Sequence, residues 1–184
     1  MDFKDTTLIF EDTQIITDNG RPIMMDWEAP IMEKSAEYIC QSKGDILEIG
    51  FGMGICSDYI QAQDVNSHTI VEIHPQVIEK LKIWAEDKEN VIIVEGDWYT
   101  AELDKTYDGI FIDTYGGKNL GKIKEFVLSK GKSGARVTYW DAAAKWNENE
   151  HNFDNISYED VPIVAEIEED IWNDNIYRLP KVVI

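Results

Sequence analysis

Cysteine is scarce. The 184-residue chain has two, Cys40 and Cys56, so it carries no disulfide framework, and the absence of a Cys-x-x-Cys pair removes the usual redox and zinc signatures. Histidine is equally sparse: His68, His74 and His151 stand in unlike contexts, and no metal site is expected on them. Apolar runs are short, well below the ~20 residues a membrane helix requires. The opening Met1-Asp2-Phe3-Lys4-Asp5 lacks the basic-then-apolar order of a signal peptide. Basic residues are outnumbered, with 17 Lys+Arg against 36 Asp+Glu and a net charge of −19. A surface that acidic repels phosphate, which argues against general nucleic-acid binding and suits small cations, although most of the charge solvates the surface. The expectation is a soluble, cytoplasmic protein with no membrane or nucleic-acid partner.

Hydrophobic residues make up 43% of the chain, enough at this length for one core, so residues 1–184 are expected to form a single compact domain. Between residues 45 and 140, short apolar runs alternate with helical spacing. Strands are expected at Asp45 to Ile49, His68 to Glu72, Val91 to Val94, Tyr107 to Asp113 and Ala135 to Trp140. Helices are expected at about Pro30 to Ser42, at Gly54 to Gln63, from Pro75, and through Ile123, Phe126 and Val127. Continuous apolar strands separated by helices imply an α/β fold, a mostly parallel sheet with helices on both faces. Val161 to Ile167 and Ile176 to Ile184, separated by the polar run Glu168 to Asn175, read as a C-terminal antiparallel hairpin. Residues 1–28 read as a polar lead-in placed to act as a lid.

The strongest local signal is Leu47-Glu48-Ile49-Gly50-Phe51-Gly52-Met53-Gly54, which leaves a strand and opens a helix. Glycines there permit a tight turn and close approach of a ligand to the backbone. Glu72 ends the next strand, 22 residues beyond Gly50, where an acid can accept ribose hydroxyls. The loop runs Gly-x-Gly-x-Gly rather than the Gly-x-Gly-x-x-Gly that cradles a pyrophosphate, and Glu48 before it suits a sulfonium and an ammonium better than phosphates. It resembles the S-adenosylmethionine loop of class I (Rossmann-like) methyltransferases. Gly96-Asp97-Trp98 follows the third strand, with Asp97 a candidate acceptor for an adenine amino group; core packing is an equal reading of Trp98.

Asp113-Thr114-Tyr115 stands at the carboxyl end of the fourth strand, where open α/β sheets bind ligands. Met25-Asp26-Trp27-Glu28-Ala29-Pro30-Ile31-Met32 precedes the first helix, with Trp27 and Glu28 where a lid would meet that cleft. In order and spacing these segments resemble guanidinoacetate N-methyltransferase and the related arginine δ-N-methyltransferase domain of fungi. The resemblance spans most of residues 12 to 140, and Ile176-Tyr177-Arg178-Leu179-Pro180 is similar to the family's last strand. It implies an enzyme that uses S-adenosylmethionine, releases S-adenosylhomocysteine and methylates a small cationic guanidino substrate. Glu28 and Asp113 fall on the acids that grip the guanidino group and serve catalysis. The implied cofactor contacts are Glu48, Gly50, Phe51, Gly52, Met53, Glu72, Ile73, Gly96, Asp97, Trp98 and Asp113. The implied substrate contacts are Trp27, Glu28, Asp113, Thr114, Tyr115 and Tyr139.

One departure bears on the substrate. The family's Thr-Tyr-Cys-Asn becomes Thr138-Tyr139-Trp140-Asp141, which sets an indole and a negative charge beside the spot where the family receives its substrate's carboxylate. Guanidinoacetate or a similar small guanidino compound is the first reading. An arginine side chain of a protein, or cofactor binding without catalysis, are the alternatives.

Overall fold

In the computed structural model, residues 2–115, 120–141, 153–164 and 175–184 are described. Residues 165–174 of the anticipated hairpin, and Ala142 to Ala144, lie outside them. The lead-in is a three-stranded antiparallel sheet, β1 (Leu8–Phe10), β2 (Gln14–Thr17) and β3 (Pro22–Met25), in that order. Its strands are too short for a readable alternation. Leu8 and Ile15 are nonetheless buried, and the Gln76 side chain bridges both polar backbone groups of Leu8 at 2.8 and 3.0 Å, tying this sheet to the main body.

A single turn of 3-10 helix at Asp26–Glu28 then leads into α1 (Ala29–Ile39), with Pro30 in its first turn, where the missing N–H costs nothing. The main chain continues through β4 (Asp45–Ile49), α2 (Ile55–Gln61), β5 (Ser67–Glu72), α3 (Pro75–Ala85), β6 (Val91–Glu95), β7 (Tyr107–Ile112), α4 (Leu120–Lys130), β8 (Gly131–Tyr139), β9 (Ile156–Pro162) and β10 (Ile176–Val183). These strands form one seven-stranded sheet in the order β6-β5-β4-β7-β8-β10-β9. Strands β4 to β8 pair in parallel, and β10 is antiparallel to both its neighbours.

Two boundaries differ from the sequence reading. β8 begins at Gly131, four residues before Ala135, and carries Lys132 to a pair of acids at the strands' amino ends. Among the described residues the first hairpin strand is Ile156–Pro162, which starts five residues before the expected Val161: it pairs over its whole length with β10, Ile176 opposite Pro162 and Val182 opposite Ile156. Its burial alternates unevenly, so apolar content alone misplaced it.

Each sheet face has its own core. Leu47, Ile110, Phe126, Val127, Val137 and Tyr139 pack on the α4 side. Met32, Ala36, Ile39, Ile46, Cys56, Ile60 and Phe111 pack beneath α1 and α2. Each fully buried Ile or Leu contributes about 1.5–3 kcal/mol over its exposed state, and the two layers leave the strand ends as the open edge. Strand order reverses between β4 and β7, so the crevice at their carboxyl ends is where such a sheet takes a ligand. No helix among the described residues is long and apolar enough to cross a membrane.

Candidate active site

A cavity of about 340 Å³ opens at that reversal point. Its wall includes Glu48, Gly50, Phe51, Gly52, Glu72, Ile73, Gly96, Asp97, Trp98, Asp113, Thr114 and Tyr115, gathered from the ends of four adjacent strands. The lead-in closes one side, with Phe3 from the 3-10 turn before β1 and Ile15, Ile23 and Met24 from the sheet on the wall. Phe3 stacks at 4.7 Å from the Tyr115 ring. Sequence reasoning missed these four residues, since nothing local in a polar lead-in marks a cavity wall.

The glycine loop is shaped by its neighbours. Gly50 has φ +87°, and a Cβ there would overlap the backbone carbonyl of Asp113. Gly52 has φ +55° and lies under the Met24 sulfur, which also accepts the Met53 N–H at 3.1 Å. Glu72 is buried and fixed by three backbone donors: Phe51 N–H to Oε2 at 2.9 Å, and Ile73 and His74 N–H to Oε1 at 2.7 and 2.8 Å. Three of its four acceptor positions are therefore used, leaving one on Oε2.

Glu48 is fully buried, with Oε2 accepting from Ser57 Oγ at 2.6 Å and lying 2.8 Å from His68 Nε2. Its Oε1 has no hydrogen-bond partner among the described residues. An orphaned buried carboxylate oxygen on a cavity wall suits a cationic donor from a ligand. Asp97 is held by the Tyr99 N–H at 2.9 Å, and the Trp98 ring meets Phe126 edge-on at 4.8 Å. Trp98 therefore serves both wall and core.

Glu28 stands just outside the cavity wall and is coupled to it through Asp113. It is buried, and burial followed by the charge of Asp113 pushes its carboxyl up to about 8. Two donors oppose that rise: Met25 N–H on Oε1 at 2.9 Å and Trp140 Nε1–H on Oε2 at 2.7 Å. The Trp140 contact was not foreseen; the sequence showed only a bulky substitution. Asp113 is anchored by its own N–H to Ile49 O at 2.9 Å.

Three anticipated contacts sit elsewhere. Tyr139 is fully buried on the α4 face near Phe153, because strand alternation turns it into the core. Met53 packs between the loop and the lead-in sheet and is not on the wall. Trp27 donates its indole N–H to Met25 Sδ at 3.1 Å and packs with Ile31, Val161 and Leu179, also off the wall.

Residues 2–120 match the guanidinoacetate N-methyltransferase family. The chain belongs to that family. Among curated relatives, protein arginine N-methyltransferase 2 of Saccharomyces cerevisiae is 42% identical over 124 residues, covering 60% of this chain and 30% of the relative. The protein of the same name from Aspergillus oryzae is 34% identical over 132 residues, covering 67% of this chain and 32% of the relative. The match thus spans about a third of these relatives' length. Among solved structures, spermidine synthase from Thermotoga maritima superposes with a TM-score of 0.67 at 13% identity, over 96% of this chain and 72% of that one. The N-methyltransferase NodS from Bradyrhizobium japonicum, in complex with S-adenosylhomocysteine, gives 0.64 at 13% identity over 85% and 87%. The fold is that of class I methyltransferases.

Proposed function

We propose that the chain is an S-adenosylmethionine-dependent N-methyltransferase acting on a guanidino nitrogen. The observation that carries this reading is the placement of Asp113 on the cavity wall beside the glycine loop, with the buried Glu28, from a different element, feeling its charge. The cavity's donor set fits the cofactor. Glu48 Oε1 would take its ammonium, the remaining acceptor on Glu72 a ribose hydroxyl, and Asp97 with Trp98 its base. The volume lies at the small end of the ~300–1,000 Å³ common for such ligands. When bound, S-adenosylmethionine supplies a methyl group on a sulfonium and is released as S-adenosylhomocysteine.

The rest is work for this chain's own residues. A guanidinium is a planar fork of donors with a pKa above ~12, so its nitrogen is not nucleophilic until a proton leaves. Carboxylates hold such a fork through charge-assisted bonds. Asp113, on the cavity wall, accepts the departing proton, and Glu28 orients the fork. The lead-in sheet is the lid that keeps water from the site.

Guanidinoacetate or a similar small guanidino compound is the first substrate reading. A second, an arginine side chain of a protein, is favoured by the names of the relatives and by Asp141, a buried acid directly after Trp140 that disfavours a substrate carboxylate nearby. The test is mass spectrometry after incubation with labelled S-adenosylmethionine and guanidinoacetate, free arginine, other small guanidines or arginine peptides. A methyl group gained on a guanidino nitrogen supports the reading. Turnover confined to peptides selects the second form, and cofactor binding without turnover on any guanidine overturns the enzymatic reading.

A further inference from the structure

Trp140 follows β8 with its backbone held on both sides. Its N–H donates to Ile112 O at 2.9 Å, and the next N–H, of Asp141, donates to Tyr177 Oη at 2.7 Å. Its ring lies 6.0 Å from the Tyr177 ring and packs against the cluster of Ile31, Val161 and Leu179. An indole has a single donor, and in a ring so confined it points one way. The acceptor there is Glu28 Oε2 at 2.7 Å, while Met25 N–H occupies Oε1 at 2.9 Å. A carboxylate oxygen has two acceptor positions, so each oxygen of Glu28 keeps one. One open position on each oxygen is what the two-donor edge of a guanidinium requires.

We propose that Trp140 is a positioning residue for guanidinium recognition, its indole N–H fixing the Glu28 carboxylate in the orientation that meets the donor fork of a cationic substrate beside Asp113. The proposal rests on the guanidino reading above and names a residue that reading does not require. It also has a proton consequence. The titratable groups that act on Glu28 are Asp113, directly after β7, and Tyr177 on β10, which itself also meets Asp113 and Asp141. Among the described residues no lysine or arginine forms an ion pair with Glu28. With burial and Asp113 holding its carboxyl up at about 8, Glu28 keeps its proton in the ligand-free protein at neutral pH and gives it up to solvent when a guanidinium, itself already protonated, binds. Removing the indole donor makes that proton harder to release, so guanidinium binding moves to higher pH.

The test has two arms. In the ligand-free protein, the indole N–H resonance of Trp140, assigned by its loss in Trp140→Phe, is followed by NMR from pH 5 to 9.5. It is expected to titrate with a midpoint near 8 and to stay flat in Glu28→Gln. This arm needs no substrate, and the titration it reads is that of the wild-type chain. In the second arm, methylguanidine is titrated into protein saturated with S-adenosylhomocysteine. Trp140→Phe, which keeps the ring, is expected to weaken methylguanidine roughly ten- to hundredfold, to raise the pH midpoint for binding, and to leave S-adenosylhomocysteine affinity unchanged. An indole resonance that does not titrate, or a Trp140→Phe protein that binds methylguanidine like wild type at every pH, overturns the proposal. A titrating indole in a wild-type protein that binds no guanidine overturns the substrate reading instead, and with it any recognition role for Trp140.

Discussion

The two ends of the parallel sheet handle acids in opposite ways. At the amino ends of the strands, Asp45 on β4 and Asp108 on β7 are met by lysines: Lys132 Nζ lies 3.1 Å from Asp45 and 2.6 Å from Asp108, and Lys105 3.3 Å from Asp45. Hydrogen bonds from Ser67, Asn66 and these lysines hold the Asp45 carboxyl well below the usual carboxylate range. At the carboxyl ends, Glu28 and Glu72 are met by backbone amides and an indole, and Glu48 by a hydroxyl and an imidazole. There Glu28 rises to about 8. Where the fold supplies lysines, an acid becomes part of the scaffold; where it supplies backbone amides and an indole, as at Glu28 and Glu72, the acid stays available to a cation from outside.

Breaking the comparison at the carboxyl end produces the largest effect. Asp113→Asn is expected to lower methyl transfer by roughly 10²–10⁴-fold, measured by mass spectrometry, while S-adenosylhomocysteine still binds by calorimetry. Gly50→Ala forces an unfavourable φ and drives a Cβ into the Asp113 backbone. About 2 kcal/mol or more of stability should be lost, measured by urea unfolding, together with cofactor affinity.

Glu28→Gln sharpens the contrast through pH. A carboxyl raised from its ordinary 4.5 to about 8 lets the native state keep a proton that the unfolded chain gives up. Its contribution is therefore fully present below pH 4.5 and lost as pH rises through about 8. Wild-type urea midpoints should fall across that window, and the Glu28→Gln series should be flatter. Asp45→Asn gives the smallest change, about 1–2 kcal/mol, with activity per folded molecule retained. Because the Asp45 carboxyl is depressed, its contribution is present above its ordinary 3.8 and is lost as pH falls. Unfolding at pH 7 and at pH 3 should show the Asn variant and wild type converging in acid.

Much of this was legible in the sequence for identifiable reasons. The parallel strands are readable from their short apolar runs: β4, β5 and β7 are buried on nearly every residue, and the edge strand β6, only half-buried, still carries Val91 to Val94. The glycine loop and Glu72 are readable because the turn geometry at Gly50 and Gly52 admits few other residues. The lead-in sheet was not readable, since three- and four-residue strands carry no period and owe their burial to Gln76 and the loop across from them. Strand β9 was misplaced because its position is set by pairing with β10, a long-range register that local hydrophobicity does not encode. Trp140 looked like added bulk: its bond to Glu28 joins residues 112 positions apart, and only the folded chain brings them together. Tyr139, its neighbour, was placed in the site by resemblance, but the alternation of a strand sends the two side chains to opposite faces.

The most direct test compares one acid from each end of the sheet. Methyl transfer from labelled S-adenosylmethionine to the wild-type protein's guanidino substrate is measured for Asp113→Asn and Asp45→Asn, with the folded fraction determined in the same samples. The account predicts that Asp113→Asn is folded and inactive, whereas Asp45→Asn is less stable and active per folded molecule. An active Asp113→Asn protein, or equal losses of activity per folded molecule in both variants, would contradict it.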